Sequence, residues 1–304
     1  MKGKHFGFES FWGTCRRVME FVLPETSFLY KFFYLNAVKF HSKKRNKRKE
    51  NLILKYHTVD SCNLNCSGCS TFSPLIENSF VDKNSFENDI KQITILGNVE
   101  NLEFIGGEAL LHPNILDLFD IARKYIQSGN LVLVSNGILL LKQDTLFWES
   151  CKKNKIKIYI TPYPIKLDYE KITDIAEKYE IDLNYYYSGT KSFFVKTPLN
   201  IEGRANVIKS FEKCMSSNCA TLRDGKLYSC YRPYCIRFFN EHYNKNFKVT
   251  ENDYKDIYAV NDVNELLDFM CKAPPFCRYC YMQEMEFGIP WSVSKKDISE
   301  WMQV

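Results

Sequence analysis

Three cysteines, separated by three and two residues, constrain this chain more than any other feature of its sequence. Cys62, Cys66 and Cys69 lie in one short segment, and a loop of this spacing lets three thiolates surround one cubane iron–sulfur cluster. Zinc sites usually close with four protein ligands, and a ferredoxin supplies four thiolates to each cluster. Three thiolates leave one iron open to a small molecule. The loop therefore predicts a [4Fe–4S] cluster that can bind a ligand.

Short apolar segments alternate with helical periodicity around this cysteine loop. Phe86, Ile90 and Ile93, for example, recur at the spacing of one helix face. Repeated βα units predict an α/β fold with a parallel sheet and right-handed crossovers. In such sheets the chemistry lies at the carboxyl ends of the strands. The predicted strands are Leu52–Thr58 before the cysteine loop, Leu102–Ile105 before Gly106, Gly107 and Glu108, Leu131–Val134 before Ser135 and Asn136, Ile156–Ile160 before Thr161, and Ile181–Tyr187.

The alternation of strands and helices fails after about residue 200, where more cysteines follow. Asp224-Gly225 separates two short apolar segments and predicts a hairpin. Grouped cysteines usually indicate metal or iron–sulfur ligation, so we expect a small cysteine-rich hairpin module, with a zinc site as the alternative. The two groups are Cys214, Cys219, Cys230 and Cys235, and Cys271, Cys277 and Cys280. The cysteines predicted to be structural thiols are Cys15, Cys151, Cys235 and Cys271.

The charge of the chain is uneven. Residues 1–50 carry 12 Lys or Arg against 4 Glu, a net +8, so the rest must be 5 − 8 = −3. A mildly acidic body does not favour a nucleic-acid partner. Phe28, Phe32 and Leu35 fall on one helical face, and six cations follow between Lys43 and Lys49. Residues 27–49 are predicted either to pack on the body of the protein or to contact a membrane surface peripherally.

The sequence also bears on localisation and domain boundaries. No stretch approaches the ~20 uninterrupted apolar residues that a membrane-spanning helix needs, and the amino terminus lacks the apolar core of a signal peptide. We therefore expect a cytoplasmic protein, with any membrane contact at the inner face of the membrane. The predicted regions are a basic, aromatic extension (1–50), a βα domain (51–205) and a C-terminal cysteine-rich module with its tail (206–304).

The cysteine loop and the motifs at the strand ends together resemble the radical S-adenosylmethionine (radical SAM) superfamily, over roughly Leu52 to Tyr187. The resemblance implies a partial (β/α)6 barrel and cleavage of SAM to a 5′-deoxyadenosyl radical, which abstracts hydrogen from a substrate. It also implies the SAM contacts. These are Gly106, Gly107 and Glu108 along the methionine part, and Ser135, Asn136 and Thr161 at the carboxylate or ribose. Phe72 is expected at the adenine, because Gly68 stands where many members have a bulky residue.

The second set of cysteines resembles the SPASM and twitch modules, which hold auxiliary clusters. Cys214, Gly225 and Cys230 are separated by ten and four residues, as in the hairpin of those modules. The resemblance implies one auxiliary cluster, expected to be [4Fe–4S], with Cys277 and Cys280 as two further ligands. Cys219 competes with Cys214 for the first ligand position.

Further segments resemble a bacterial subgroup often associated with polysaccharide or glycosyl-transfer genes, namely Cys69–Pro74, Gly107–Pro113, Thr161–Ile165 and Phe276–Cys280. This resemblance favours oxidation of a sugar-derived carbinol, with a small-molecule or glycan substrate and a reducing partner such as flavodoxin or ferredoxin. The alternatives are a peptide-modifying radical SAM maturase and a non-catalytic iron–sulfur or zinc-binding regulator. No catalytic residue beyond the cofactor ligands is predicted.

Overall fold

The computed structural model describes residues 4–5, 27, 29, 32–33, 36, 49–186, 190, 192–217 and 219–303. Its strands are β1 (Lys4–His5), β2 (Leu52–Val59), β3 (Val99–Gly106), β4 (Asn130–Ser135), β5 (Ile156–Ile160), β6 (Leu183–Tyr185), β7 (Phe193–Lys196), β8 (Thr221–Arg223), β9 (Lys226–Tyr228), β10 (Tyr254–Asp256) and β11 (Glu286–Pro290). Its α-helices are α1 (Lys83–Leu96), α2 (Ile115–Tyr125), α3 (Thr145–Lys153), α4 (Tyr169–Lys178), α5 (Val207–Lys213), α6 (Arg232–Tyr243) and α7 (Val263–Met270).

One open sheet organises the protein, with strand order β1-β6-β5-β4-β3-β2-β8-β9-β10. The pairings from β1 through to β8 in this order are all parallel, and β8, β9 and β10 pair antiparallel. Helices α1 to α4 connect successive strands from β2 to β6. The predicted α/β class with a parallel sheet is confirmed. Within the described residues the sheet does not close into a barrel.

The alternation of apolar and polar side chains along the strands determines which face of the sheet the helices cover. On β2, Leu52, Leu54 and Tyr56 are fully buried in the main hydrophobic core with the helices. Lys55 and His57 lie on the opposite face, because successive side chains of a strand point to opposite sides. Helices α1, α3 and α4 each begin at an aspartate whose carboxylate accepts from backbone N–H groups of the first turn; these are Asp82, Asp144 and Asp168.

The predicted hairpin at Asp224-Gly225 is confirmed. Both residues have positive φ, 50° and 74°, as a two-residue hairpin turn of type I′ requires. The hairpin does not stand apart, however, since β8 also pairs with β2 in parallel, with Lys55 opposite Thr221. The C-terminal cysteine hairpin is thus a continuation of the main sheet.

A separate set of buried aromatic side chains, the C-terminal aromatic cluster, packs the last third of the chain. Its members include Phe72, Tyr234, Phe239, Phe247, Phe276, Tyr279 and Trp301. The ring centroid of Phe239 lies 5.3 Å from that of Phe72 and 6.4 Å from that of Trp301. Strands β7 and β11 form a second, two-stranded antiparallel sheet.

Two predicted segments differ from the structure or lie outside it. Strand β6 covers Leu183–Tyr185 and begins after the predicted Ile181, because the carbonyl of Ala176 in α4 still accepts from the N–H of Ile181. The predicted end at Tyr187 lies outside the described residues. Most of residues 27–49 lies outside the described residues. Of those described, Leu29, Phe32 and Phe33 are helical, with 53%, 53% and 43% of each side chain exposed. No helix among the described residues has the length and apolarity to cross a membrane.

Candidate active site

A cavity of about 960 Å³ opens where the parallel strands end. Residues at the carboxyl ends of β3, β4, β5 and β6 contribute to its wall, as expected for a ligand site in a parallel sheet. The predicted site residues on the wall are Cys62, Cys66, Cys69, Gly106, Gly107, Glu108, Ser135, Asn136, Thr161, Cys214, Cys219, Cys230, Cys277 and Cys280. The fold therefore brings the first cysteine loop and five of the seven C-terminal cysteines to one cavity.

The first cysteine loop is shaped by its own backbone. Asn65 and Gly68 have φ values of 50° and 65°, in the left-handed region that reverses the chain direction, and Cys69 N–H donates to the carbonyl of Cys66 (3.3 Å). Burial raises the pKa of the Cys62 thiol to about 12. At neutral pH this group is therefore a thiol, and ligation of a metal would release its proton.

Gly106 and Gly107 are required by the approach of two backbone segments. A Cβ on Gly106 would lie 1.7 Å from the carbonyl oxygen of Val59, and one on Gly107 would lie 2.2 Å from that of Ser61. The N–H of Gly107 donates to the same carbonyl of Val59 (2.8 Å). The glycine pair thus fastens β3 to the chain that leads into Cys62, in addition to lining the cavity.

The Glu108 carboxylate is occupied by contacts within the protein. It accepts hydrogen bonds from Leu110 N–H (3.1 Å), Ser135 Oγ (2.9 Å) and Asn136 N–H (2.8 Å). The side chain is buried, and burial raises its pKa to about 6, against the lowering effect of these bonds. Glu108 therefore joins the ends of β3 and β4, and its contribution to a ligand would come from its backbone.

The ends of β4 and β5 are connected to the cysteine loop and to each other. Asn136 Nδ2 donates to Asn63 Oδ1 (2.8 Å) and lies 3.8 Å from Cys62 Sγ. Thr161 N–H donates to the carbonyl of Ser135 (3.0 Å), which places Thr161 on the wall beside β4. These contacts give the cysteine loop a fixed position relative to the sheet.

Four of the C-terminal cysteines, here called the second cysteine group, are gathered from three segments. Cys214 follows α5, Cys230 follows β9, and Cys277 and Cys280 lie at a 3₁₀ segment near the C-terminus. Burial, followed by the charge of Cys280, raises the pKa of Cys214 to about 11. Burial also raises the pKa of Cys230, and among its charged neighbours Cys214 has the largest effect. Burial, followed by the charges of Cys280, Cys230 and Cys214, likewise raises the pKa of Cys277, so the four thiols lie close enough to influence one another.

Cys219 has a smaller electrostatic effect on the pKa values of Cys214 and Cys230 than thiols of the second cysteine group have. Its effect on the pKa of Cys214 is smaller than that of Cys280, and its effect on Cys230 is smaller than that of Cys214. It instead contributes to the raised pKa of Lys55 in β2. This arrangement supports Cys214 as the ligand.

Two residues that the sequence analysis missed stand beside this second group. Arg232 Nη1 lies 3.7 Å from Cys280 Sγ and 3.3 Å from the carbonyl oxygen of Thr197. In the described part of the chain, no other Lys, Arg or His lines the cavity. Tyr231 also lines it, and its hydroxyl lies 3.3 Å from Ser216 Oγ. Only their positions directly after Cys230 hinted at such roles.

The structure does not support Phe72 as the residue that packs on adenine. Its side chain is 1% exposed and packs on Phe239 and Trp301 in the C-terminal aromatic cluster, and it is absent from the cavity wall. The backbone of Phe72 has a φ of 60°, in the left-handed region. The prediction relied on nearness in sequence, and long-range packing overrides it.

Over the residues that the structure describes, no three His, Cys, Asp or Glu side chains converge as they would around a single metal ion. A cubane cluster holds its thiolates farther apart than one ion does, since each thiolate binds a different iron. The fit of the cysteines to a cluster is therefore judged by their sharing one cavity wall, which both groups do.

The chain is similar to known proteins only over part of its length and at low sequence identity. No family model matches the chain. A segment of 93 residues is 25% identical to the GTP 3′,8-cyclase of Trichodesmium erythraeum (strain IMS101), which covers 29% of this chain and 28% of that protein. The chain thus matches well under two thirds of the length of this curated relative.

Several solved structures are also similar in part. BtrN in complex with AdoMet and 2-DOIA aligns over 76% of this chain and 93% of that one, at 16% identity and a TM-score of 0.49. Native anSMEcpe with bound AdoMet and Cp18Cys peptide aligns over 44% and 41%, at 21% identity and a TM-score of 0.36. Streptococcus suis SuiB bound to S-adenosylmethionine aligns over 59% and 51%, at 17% identity and a TM-score of 0.30. At these levels a similarity does not transfer a function, which has to come from the residues of this chain.

Proposed function

We propose that the protein is a radical SAM enzyme with one auxiliary iron–sulfur cluster. The observation that carries the proposal is the single cavity on which the first cysteine loop, the strand-end residues and the second cysteine group meet. Three thiolates suit a cluster with one open iron. The cavity volume of about 960 Å³ lies near the upper end of the roughly 300–1,000 Å³ usual for ligand sites, so a cofactor and a substrate can share it.

In this proposal Cys62, Cys66 and Cys69 hold the SAM-binding [4Fe–4S] cluster. When bound, the cluster and SAM supply a 5′-deoxyadenosyl radical that removes a hydrogen atom from the substrate. The part played by the chain is to bind and orient SAM. Gly106 and Gly107 offer close backbone approach and Thr161 offers a hydroxyl, whereas Glu108, Ser135 and Asn136 keep the wall in shape through their mutual hydrogen bonds.

The ligands proposed for the auxiliary cluster, which we expect to be [4Fe–4S], are Cys214, Cys230, Cys277 and Cys280. Thiolates in a buried site need a compensating charge, and the Arg232 guanidinium beside Cys280 supplies one. The alternative expected from the sequence is a zinc ion held by the same four thiolates, although among the described residues these side chains do not converge as they would around a single ion.

As substrate we propose a sugar-derived small molecule or glycan that is oxidised at a carbinol carbon. The wall offers hydroxyl side chains that can hydrogen-bond such a molecule: Ser70, Thr71, Thr190, Ser192, Ser216 and Ser217. Oxidation by two electrons needs an acceptor for the second electron, and the auxiliary cluster would stand on the same wall. A reducing partner such as flavodoxin or ferredoxin would supply the electron that starts the reaction.

The decisive experiment is anaerobic reconstitution of the full chain with iron and sulfide, followed by an assay for 5′-deoxyadenosine under reducing conditions. About eight irons per chain and formation of 5′-deoxyadenosine are expected. Four irons with one tightly bound zinc would support the zinc alternative for the second site. A reconstituted protein that binds iron but never cleaves SAM would support a non-catalytic regulator.

We also propose that residues 27–49 bring the enzyme to an anionic membrane surface, where a lipid-linked glycan would be accessible. The exposed Leu29, Phe32 and Phe33 and the six cations between Lys43 and Lys49 support this proposal. Each cation near an anionic surface contributes about 1 kcal/mol. Sedimentation with anionic liposomes should depend on residues 1–49 and weaken with salt. Loss of stability on truncation, without liposome binding, would mean that the segment packs on the protein instead.

A further inference from the structure

The segment 291–301, here called the C-terminal strap, lies along the first cysteine loop. Ser67 N–H donates to the carbonyl of Ser292, and Ser294 N–H donates to the carbonyl of Asn65, both at 2.8 Å. These two bonds pair the strap with the loop in the manner of an antiparallel bridge. The loop is therefore held from outside by chain that follows it by more than 200 residues.

Trp291 of the strap reaches the sulfur of a proposed cluster ligand. Its indole Nε1 lies 3.1 Å from Cys66 Sγ. Because an indole nitrogen can only donate a hydrogen bond, Trp291 donates to the sulfur. Cys66 is buried, with 8% of its surface exposed, so this contact lies where solvent competes little with it.

Two other strap residues hold the backbone of the loop. Gly68 N–H donates to Glu300 Oε2 (3.2 Å), and Trp301 Nε1 donates to the carbonyl of Cys69 (2.7 Å). The Trp301 ring is buried in the C-terminal aromatic cluster, which anchors the strap to the body of the protein. These contacts fix the position of the loop through its backbone, and neither of them involves the sulfur of Cys69.

We propose that the C-terminal strap positions the cluster of the first cysteine loop, and that Trp291 raises the reduction potential of this cluster through its hydrogen bond to Cys66. This inference rests on the proposed function, since it requires a cluster at Cys62, Cys66 and Cys69. Hydrogen bonds to the sulfurs and exposure to solvent are among the factors that set iron–sulfur potentials. A donor at a ligand sulfur withdraws negative charge from it, which favours the reduced cluster.

The test compares Trp291→Phe with Trp301→Phe in the reconstituted full-length protein. Each substitution keeps an aromatic ring and removes one N–H donor. An electron paramagnetic resonance titration, followed on the signal that changes when SAM is added, measures the midpoint potential of the first cluster. We expect a more negative potential in Trp291→Phe, and a potential near that of the wild type in Trp301→Phe. Trp148→Phe, which alters a tryptophan of the main core, is the matched control.

The possible outcomes separate this inference from the proposed function. An unchanged potential in Trp291→Phe with full iron content would overturn the role of Trp291. A wild-type protein without a SAM-responsive cluster would overturn the proposed function instead. If Trp291→Phe fails to retain the cluster, Trp291→His restores a ring N–H donor. Retention in the histidine variant alone would support the hydrogen bond, and loss in both variants would contradict it.

Discussion

The first cysteine loop and the second cysteine group line the same cavity but are built in opposite ways. The loop Cys62–Cys69 is continuous chain, shaped by its own hydrogen bonds and by the glycine pair at the end of β3. The second group brings together Cys214, Cys230 and Cys277 from segments that follow a helix, follow a strand and form a 3₁₀ turn. The three thiols of the loop are neighbours in the chain before folding, and the strap then fixes the loop in place. The thiols of the second group come together only when distant segments have packed.

This difference predicts a different coupling between cluster and fold at each site. Where a site does not exist in the unfolded chain, the free energy of metal binding adds to the free energy of folding. We therefore expect the auxiliary cluster to stabilise the C-terminal third strongly. The first cluster should be needed for chemistry and contribute less to stability, because its loop is already held by β2, β3 and the C-terminal strap.

The largest expected effect is that of replacing Cys62, Cys66 and Cys69 together by alanine. Formation of 5′-deoxyadenosine should fall to the level without enzyme, because these are the proposed ligands of the cluster that cleaves SAM. About four irons per chain should remain at the second site, and the melting temperature should change little. The comparison is made by product assay, iron analysis and thermal unfolding. Continued SAM cleavage by this variant would remove the basis of the proposed function.

Replacing Cys230 by serine should have the opposite pattern. Its half-buried thiol lies among the other sulfurs of the second group, so iron content should fall from about eight to about four per chain. The melting temperature of the reconstituted protein should drop by several degrees, while SAM cleavage in the absence of substrate persists. If this variant melts like the wild type, the two sites do not differ in their coupling to the fold.

A paired substitution sharpens the ligand set of the second site. Cys214→Ser should lose the auxiliary cluster, whereas Cys219→Ser should keep about eight irons per chain, since Cys219 affects the pKa values of Cys214 and Cys230 less than Cys280 does. Iron and sulfide analysis of the two variants, reconstituted side by side, measures the difference. The reverse pattern would exchange the roles of the two cysteines.

The smallest expected effect concerns Glu108, which supports the local site without contacting a cluster. Its folded pKa of about 6 exceeds the ordinary 4.5, so its stabilising contribution is full below pH 4.5 and is lost as pH rises through 6. The difference of about 1.5 pKa units corresponds to roughly 2 kcal/mol. Across this window the unfolding free energy of the wild type should fall relative to that of Glu108→Gln. Urea unfolding of the metal-free proteins at a series of pH values measures this difference in unfolding free energy. The control is Glu170→Gln, which changes an exposed glutamate and should show the same pH dependence as the wild type.

Sequence reasoning succeeded where the information is local. The spacing of Cys62, Cys66 and Cys69, and the polar residues that end β3, β4 and β5, all lie next to apolar strands, so their placement at one edge follows from the parallel sheet alone. The hairpin at Asp224-Gly225 is equally local, because two residues fix its turn. The cysteine loop and the residues that end β3, β4 and β5 line one cavity, which confirms their predicted placement at one edge of the sheet. The roles assigned to the individual residues stay predictions.

Long-range packing is what the sequence could not reveal. Phe72 lies three residues after Cys69, yet its ring belongs with Phe239 and Trp301. Trp291 carries no motif, and its contact with Cys66 spans 225 positions. Both contacts depend on how the C-terminal third of the chain packs against the sheet. The spacing of residues in the sequence does not predict that packing.

The pairing of β8 with β2 also has a consequence for solubility during and after folding. Without it, the eight-residue β2 would be an outer strand of the sheet, and long apolar outer strands invite pairing with other chains. With the hairpin in place, the outer strand on this side of the sheet is β10, which has three residues and includes Lys255 and Asp256. The opposite border is β1, with two residues. Among the described strands both outer ones are therefore short. We expect a variant with a destabilised hairpin to aggregate while its first cysteine loop is still folded.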